Sequence, residues 1–299
     1  MVYAIGECLL DIVFRDENPV WSCPGGSLLN SAVSLGRSGV PVAMISETGE
    51  DKTGRLILNF LRRNKVDISG FTMFPGNSTL ALAFLDAGGD ASYQFYHSLP
   101  EKAPEISVPD FRENDVFMMG SFYSVKLRNR PNILRMTEAA RRGKAVVFYD
   151  PNFRQPHLKE LPEILPFIRE NIRLSDLVRG SDEDFRLIAG AGDGEQAYAF
   201  VRDCGCERLI YTKNSDGLTL YTPRYSTTVK VPAIKVVSTI GAGDSFNAGL
   251  VSVIHKFGKI EESKVFWDEA IRKAIIFASE VCGSRYNFIG WPASSQTLK

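Results

Sequence analysis

Short apolar runs rich in β-branched residues alternate along this chain with longer segments whose apolar positions recur every three to four residues. Val2 to Leu10, Ala43 to Ser46, Val116 to Met119, Val146 to Tyr149 and Leu209 to Thr212 are the strand-like runs. Between them lie helix candidates such as Ser27 to Arg37 and Gly54 to Asn64, the second with Leu56, Ile57, Phe60 and Leu61 on one face. This alternation is the pattern of βαβ units, and it predicts an α/β fold around a mostly parallel sheet flanked by helices. No fixed-period repeat, low-complexity tract or Pro/Ser-rich linker interrupts it.

Two regions break the rhythm. Ser78 to Tyr96 reads as two strands, Thr79 to Leu85 and Ala91 to Tyr96, joined by the turn Asp86-Ala87-Gly88-Gly89-Asp90. Ile12 to Ser22 is likewise strand-like, around a polar turn at Arg15 to Asn18. The pattern fits a small β-sheet flap as well as an edge extension of the main sheet, and does not choose between them.

Composition narrows the function classes. Hydrophobic content of 44% with 23% charged residues is that of a globular protein, and 35 Lys+Arg against 35 Asp+Glu leave no net charge to attract nucleic acid or an anionic membrane. No apolar run reaches the roughly 18 residues of a membrane span, and Met1 to Glu7 enters an apolar strand without a basic leader, so a cytoplasmic enzyme is expected. Five scattered cysteines, with Cys204-Gly205-Cys206 lacking partners at zinc-ligand spacing, read as reduced thiols.

The strongest chemical signal lies near the C-terminus. Val231 to Val237 reads as a strand, Gly241-Ala242-Gly243 as a tight turn, and Asp244 as the opening of a helix with Phe246, Leu250, Val253, Ile254 and Phe257 on one face. Such a unit points free backbone N–H groups and the positive end of the helix dipole at an anion, and phosphate suits that place. A Cβ at the glycines would hold the backbone away from phosphate oxygens. The spacing is not that of a Walker loop, since no Gly-Lys is followed by Ser or Thr, nor GxGxxG, since Phe246 stands at the last glycine position. The turn alone leaves Asp244 open between two tasks, a base for a hydroxyl attacking the phosphate and a helix cap.

The stretch Ser238-Thr239-Ile240-Gly241-Ala242-Gly243-Asp244-Ser245-Phe246-Asn247-Ala248-Gly249 resembles the C-terminal signature of the ribokinase-like (PfkB) carbohydrate kinase family. Gly25-Gly26-Ser27-Leu28-Leu29-Asn30-Ser31-Ala32, followed by Leu35-Gly36-Arg37-Ser38-Gly39, resembles its first signature, the Gly-Gly loop and helix that hold the sugar. Gly6-Glu7 with Asp11 is similar to the family's opening strand, Gly49-Glu50-Asp51-Lys52-Thr53-Gly54 to its following loop, and Asp150-Pro151-Asn152-Phe153-Arg154 to the central segment of fructokinase-like members. The resemblance covers nearly the whole chain.

It implies a Rossmann-like α/β domain spanning 1–299, with a β-sheet lid formed by ribbons near 12–22 and 78–100 that closes over the sugar and excludes water. The implied reaction is transfer of the γ-phosphoryl group of ATP, with Mg²⁺, to a hydroxymethyl group of a small sugar. Fructose is the leading acceptor, with 2-keto-3-deoxygluconate, ribose or a nucleoside as alternatives. By the same resemblance Asp244 is the base; the amides of Ala242, Gly243 and Asp244, behind Gly241, form the anion hole; and Asp11, Gly25, Gly26 and Asn30 bind sugar hydroxyls. Arg154 is expected to hold phosphate or substrate. Thr212-Lys213-Asn214-Ser215-Asp216-Gly217 resembles the loop near the nucleotide, with Asn214 where glycine is usual, and lid strands pairing between subunits imply a homodimer.

Three departures bear on cofactors and substrate. Where the family has Asn-x-x-Glu near metal and phosphates, this chain has Ser181-Asp182-Glu183-Asp184, so Ser181 and Asp184 are expected at the nucleotide, with Asp184 reaching Mg²⁺ through water. Ser238 replaces a usual aspartate and Tyr286 a usual glycine at the monovalent-cation site, which predicts weak dependence on potassium. His97, in Phe95-Tyr96-His97, replaces an arginine of the lid strand and favours a neutral sugar. A catalytically silent sugar-binding protein and a dinucleotide oxidoreductase are the readings from other classes.

Overall fold

The computed structural model describes residues 1–85 and 91–292. Strands β1 (Val2–Ile5), β2 (Leu9–Arg15) and β3 (Asn18–Gly25) are followed by helix α1 (Ser27–Arg37), β4 (Val42–Gly49) and α2 (Lys52–Arg63). Next come β5 (Val66–Asp67), β6 (Phe71–Phe74), β7 (Leu80–Leu85) and β8 (Ala91–Tyr96). The second half runs β9 (Val116–Gly120), α3 (Arg130–Arg142), β10 (Val146–Asp150), α4 (Leu161–Arg173), β11 (Leu177–Ser181), α5 (Asp182–Ala189) and α6 (Gly194–Asp203). It closes with β12 (Leu209–Thr212), β13 (Leu218–Tyr221), β14 (Ser226–Val229), α7 (Ala242–Phe257) and α8 (Lys264–Cys282).

The main sheet has the order β14-β13-β12-β11-β10-β9-β1-β4-β5, with β6 also on β4. It is parallel from β12 to β5 and antiparallel only at the β12-β13-β14 edge. Its strands are near-continuous apolar runs because both faces are covered. Val116, Met118, Val146 and Phe148 join the core formed with α1, α2, α7 and α8, whereas Phe117, Met119, Val147 and Tyr149 join the core under α3 to α6. The period-two alternation of these strands is therefore spent between two cores rather than between core and water.

A separate four-stranded sheet has the order β3-β2-β7-β8. Its register sets Leu10, Ile12 and Phe14 beside Leu80, Leu82 and Phe84 on one face, and Asp11 and Val13 beside Ala81 and Ala83 on the other. Ala81 and Ala83 are buried and Phe84 is exposed, stacked on Phe14 at 5.1 Å, so the Asp11 face turns inward and an apolar face turns outward. The Asp86 to Asp90 turn lies outside the described residues.

Several segment boundaries differ from the sequence pattern. The single run Val2 to Leu10 is cut at Gly6, which packs so closely on Leu28 that a Cβ would lie 2.7 Å from the leucine Cβ, and its halves enter different sheets. The ribbon read at 12–22 spans Leu9 to Gly25. On α2 the buried stripe is Ile57, Leu58 and Leu61, while Leu56 faces solvent and Phe60 is half-buried.

Val231 to Val237 is not a strand. Pro232 lacks a donor, the sheet ends at β14, and Val236 and Val237 stay 55% and 59% exposed. The segment is hooked instead onto the end of α8 by the Val237 amide, which donates to the Cys282 carbonyl at 2.7 Å. Among the described residues no helix is long and apolar enough to cross a membrane, and all five cysteines are unpaired.

Candidate active site

The N-termini of α1 and α7 meet at one carboxylate. Gly26 precedes α1 with φ 123°, and a Cβ there would lie 2.2 Å from the Glu7 carbonyl oxygen. Gly241 precedes α7 with φ 80°, and a Cβ there would lie 2.2 Å from the Asn287 carbonyl oxygen. Only glycine fits both places, for conformation and for space. Asp244 then falls in the first turn of α7.

Asp244 does not cap that helix: Gly241 is the N-cap, and no side chain bonds the free amides. The capping alternative is thereby corrected. The Asp244 carboxylate reaches across to α1 instead, where Ser27 Oγ donates to Oδ1 at 2.6 Å and Asn30 Nδ2 donates to Oδ2 at 2.9 Å. Ser31 Oγ donates to the Asp244 backbone carbonyl at 2.9 Å. Burial pushes the Asp244 pKa above the usual carboxylate range, against the opposing pull of Ser27, Asn30 and the Arg154 charge.

Asp11 sits on the inward face of the small sheet. Its Oδ2 occupies the space a Cβ on Gly25 would fill, 1.9 Å from that ideal position. Burial, with the nearby charge of Asp244, pushes its pKa up to about 7. Asn30 Oδ1 is buried without a hydrogen-bond partner, an acceptor left open beside Asp244. Asp11, Gly25, Gly26, Asn30 and Asp244 are thus gathered in one place beside the start of α7, where the Ala242 amide, expected in the anion hole, donates instead to the Thr239 carbonyl at 3.2 Å.

The C-terminal ends of β10, β11 and β12 form the other wall, the edge where ligands sit in open parallel sheets. Asp150, at the end of β10, accepts from the Asn152 amide on Oδ1 at 2.9 Å. Its Oδ2 accepts from Asn247 Nδ2 at 2.6 Å and Arg179 Nη1 at 3.0 Å. Arg179 Nη2 donates to Thr212 Oγ1 at 2.7 Å. The guanidinium lies under the anion-hole turn, 3.1 Å from where a Cβ on Gly243 would stand, and its Nε is buried without a partner. Sequence reading passed over Arg179, Asn247 and the central role of Asp150; a lone arginine inside an apolar strand was the available signal.

The remaining predicted residues take varied places. Arg154 is exposed after β10, yet its charge reaches Asp244. Ser181 and Asp184 form a capping box on α5: Asp184 Oδ2 accepts from the Ser181 amide and hydroxyl, and its Oδ1 accepts from the Phe153 amide at 2.5 Å. That carboxylate is buried and its pKa is raised, first by burial and then by Asp150, so it presents itself as a brace for the Asp150 loop. Thr212 binds Arg179 directly. Asn214, with φ 43°, and Gly217, with φ 106°, shape the β12-β13 hairpin, and Asn is the non-glycine residue that best tolerates such a conformation. His97 Nδ1 lies 3.7 Å from Glu7 Oε1, and Lys126 Nζ lies 3.9 Å from Glu7 Oε2.

A partly buried carboxylate with a raised pKa, at a helix start and within reach of the Arg154 charge, can take a proton from a hydroxyl, and Arg179 near Gly243 can stabilise a phosphoryl group beside it. Comparison with known proteins agrees with this chemistry. The family model for pfkB family carbohydrate kinases matches residues 1–286. A fructokinase from Rhizobium leguminosarum bv. trifolii is 31% identical over 263 residues, covering 84% of this chain and 79% of that protein. An aminoimidazole riboside kinase from Salmonella typhimurium is 27% identical over 290 residues, covering 95% and 88%. The fold is shared with the crystal structure of aminoimidazole riboside kinase from Salmonella enterica in complex with aminoimidazole riboside and an ATP analog (TM-score 0.85, 23% identity, 99% and 97% covered). It is shared as well with fructokinase from Vibrio cholerae bound to fructose, ADP and calcium (TM-score 0.86, 19% identity, 98% and 96% covered).

Proposed function

The chain belongs to the pfkB family of carbohydrate kinases, and from that premise we propose that it transfers the γ-phosphoryl group of ATP to a hydroxymethyl group of fructose, giving fructose 6-phosphate. The observation that carries this reading is Asp244, half-buried in the first turn of α7, its carboxylate hydrogen-bonded by the neutral donors Ser27 and Asn30. A carboxylate with no cation hydrogen-bonded to it keeps the basicity a proton acceptor needs, and the amides of Gly243 and Asp244 face the group that receives the nucleophile. Asp11 and Asn30 Oδ1 accept from sugar hydroxyls, while Gly25 and Gly26 let the ring approach the backbone. Arg179, beneath Gly243, and Arg154, at the rim, supply positive charge to the phosphates.

Among the described residues no group of three or more His, Cys, Asp or Glu could hold a metal. Magnesium, expected with the nucleotide, would keep most of its waters and arrive on the phosphates; Asp184, with both oxygens taken by Ser181 and Phe153, is not placed to hold it directly. Magnesium bound in that way neutralises phosphate charge. Ser238 accepts from the Ile240 amide at 3.2 Å and offers no carboxylate, in keeping with weak potassium dependence. The outward apolar face of the small sheet, with Phe14 and Phe84, supports pairing of two lids in a homodimer.

A neutral acceptor follows from His97, which lies beside Glu7 rather than standing as a free cation, and whose pKa burial lowers. Purified protein with MgATP and a panel of fructose, ribose, 2-keto-3-deoxygluconate and nucleosides, followed by ADP release, tests the proposal. Fructose is expected to give the highest kcat/KM. A riboside turned over far faster than fructose refutes the acceptor and keeps the chemistry, and sugar binding without ADP release refutes the chemistry.

A further inference from the structure

Ser27 is the first residue of α1, the place where a serine side chain ordinarily turns back to its own helix. Here it does not: Gly26 is the N-cap, and no side chain caps α1. The hydroxyl instead crosses 217 residues of sequence to Asp244 Oδ1 at 2.6 Å, a short charge-assisted hydrogen bond. Asn30 Nδ2 holds the other oxygen, and Ser31 Oγ holds the backbone carbonyl of the same residue. One turn of α1 therefore fixes Asp244 at three atoms.

We infer that Ser27 is a positioning residue for the base: its hydroxyl fixes the rotamer of the Asp244 carboxylate and favours its ionised form. The inference rests on the reading of Asp244 as the base.

The groups facing Asp244 are few. Asp11 on β2 and Asp150 at the end of β10 add negative charge, and Arg154 after β10 adds a positive one. Burial and the two carboxylates favour the protonated acid, which cannot accept a proton. Ser27 and Asn30 oppose them, and only Ser27 is free of a second task, because the unpartnered Asn30 Oδ1 is left open to a sugar hydroxyl. The same division keeps substrate and base in register. Sugar docking on Asn30 Oδ1 leaves Nδ2 on Asp244, while Ser27 holds the second oxygen independently of substrate.

The test compares the pH dependence of kcat/KM for wild type, Ser27→Ala, Ser27→Thr, Ser27→Cys and Asp244→Asn, with sugar affinity measured separately. Loss of a hydrogen bond to the charged form raises the pKa of the free base, so Ser27→Ala is expected to move the acid limb up by about one to two pH units. Ser27→Thr, which keeps the hydroxyl, is expected to return it. Ser27→Cys, nearly isosteric but a much weaker donor, is expected to resemble Ala, and it carries the test should Ala fold poorly. An unshifted acid limb in Ser27→Ala or Ser27→Cys, with or without a uniform loss of rate, overturns the inference. If Asp244→Asn retains near-normal kcat, the base assignment itself fails, an outcome separate from any result at Ser27.

Discussion

Asp244, partly buried, and Asp150, fully buried, are two aspartates of one site, and their partners differ. Asp244 is held by a serine hydroxyl and an asparagine amide, while Asp150 is held by the guanidinium of Arg179, by Asn247 and by a backbone amide. Burial leaves the first with a raised pKa, although its two neutral donors pull the other way. A cation beside the second compensates its charge in place, and such a carboxylate serves to orient rather than to react. The pair shows how a fold divides labour between identical residues through the charge of the nearest partner.

The sharpest break of this comparison replaces each aspartate by asparagine. Asp244→Asn is expected to lower kcat by about 10³-fold or more with little change in sugar affinity, and to unfold no earlier than wild type, since it removes a charge the site disfavours. Asp150→Asn is expected to cost about 3 to 5 kcal/mol in denaturant unfolding, because it strands Arg179 in the interior. If Asp244→Asn loses as much stability as Asp150→Asn, the two carboxylates are alike and the comparison falls.

Arg179→Met sharpens the contrast from the other side. Removing the charge beneath Gly243 is expected to lower kcat about 10²-fold, as loss of one donor to a transition-state oxyanion does, with sugar affinity unchanged. The double variant Asp150→Asn with Arg179→Met restores charge balance, so stability is expected to recover while the rate does not. Recovery of both in steady-state assays assigns Arg179 to structure alone.

Asp11 gives a third comparison, with its pKa near 7 against about 3.9 in an unfolded chain. Between those values the folded protein binds more protons than the unfolded one, so this residue makes stability fall as pH rises from about 4 to about 7. Asp11→Asn is expected to remove that slope and to raise the sugar KM roughly 10-fold, about the worth of one hydrogen bond to a charged acceptor. An unchanged slope in pH-dependent melting rejects the assignment. The smallest effect concerns Ser238: exchanging potassium for a bulky organic cation is expected to change kcat less than about 2-fold by the magnitude of a weak exposed charge interaction.

Much of the architecture was legible in the chain. The alternation of strand runs and helical periods gave the parallel sheet, and the ribbon pattern gave the strands of the second sheet but not their separation from the first, because periods of two and of three to four residues are local properties. Reading failed where a neighbour distant in sequence decided. Val231 to Val237 has a strand's composition but no open sheet edge to join, and Val2 to Leu10 is cut by the close packing of Gly6 on Leu28. Asp184, expected near the nucleotide, braces the Phe153 amide, and Arg179 stayed unnoticed because its partners Asp150, Thr212 and Gly243 come from three other elements.

The sequence by itself determined the inventory: glycines where backbone must turn or come close, carboxylates and amides beside them, and the order of strands and helices that carries them. Tertiary structure decided their roles. It set Ser27 against Asp244 across 217 residues and Asn247 against Asp150 across 97. Hydrogen bonding, burial and charge act through space over a few ångströms, so the basicity of a carboxylate is a property of where the chain brings its neighbours rather than of the residues that flank it.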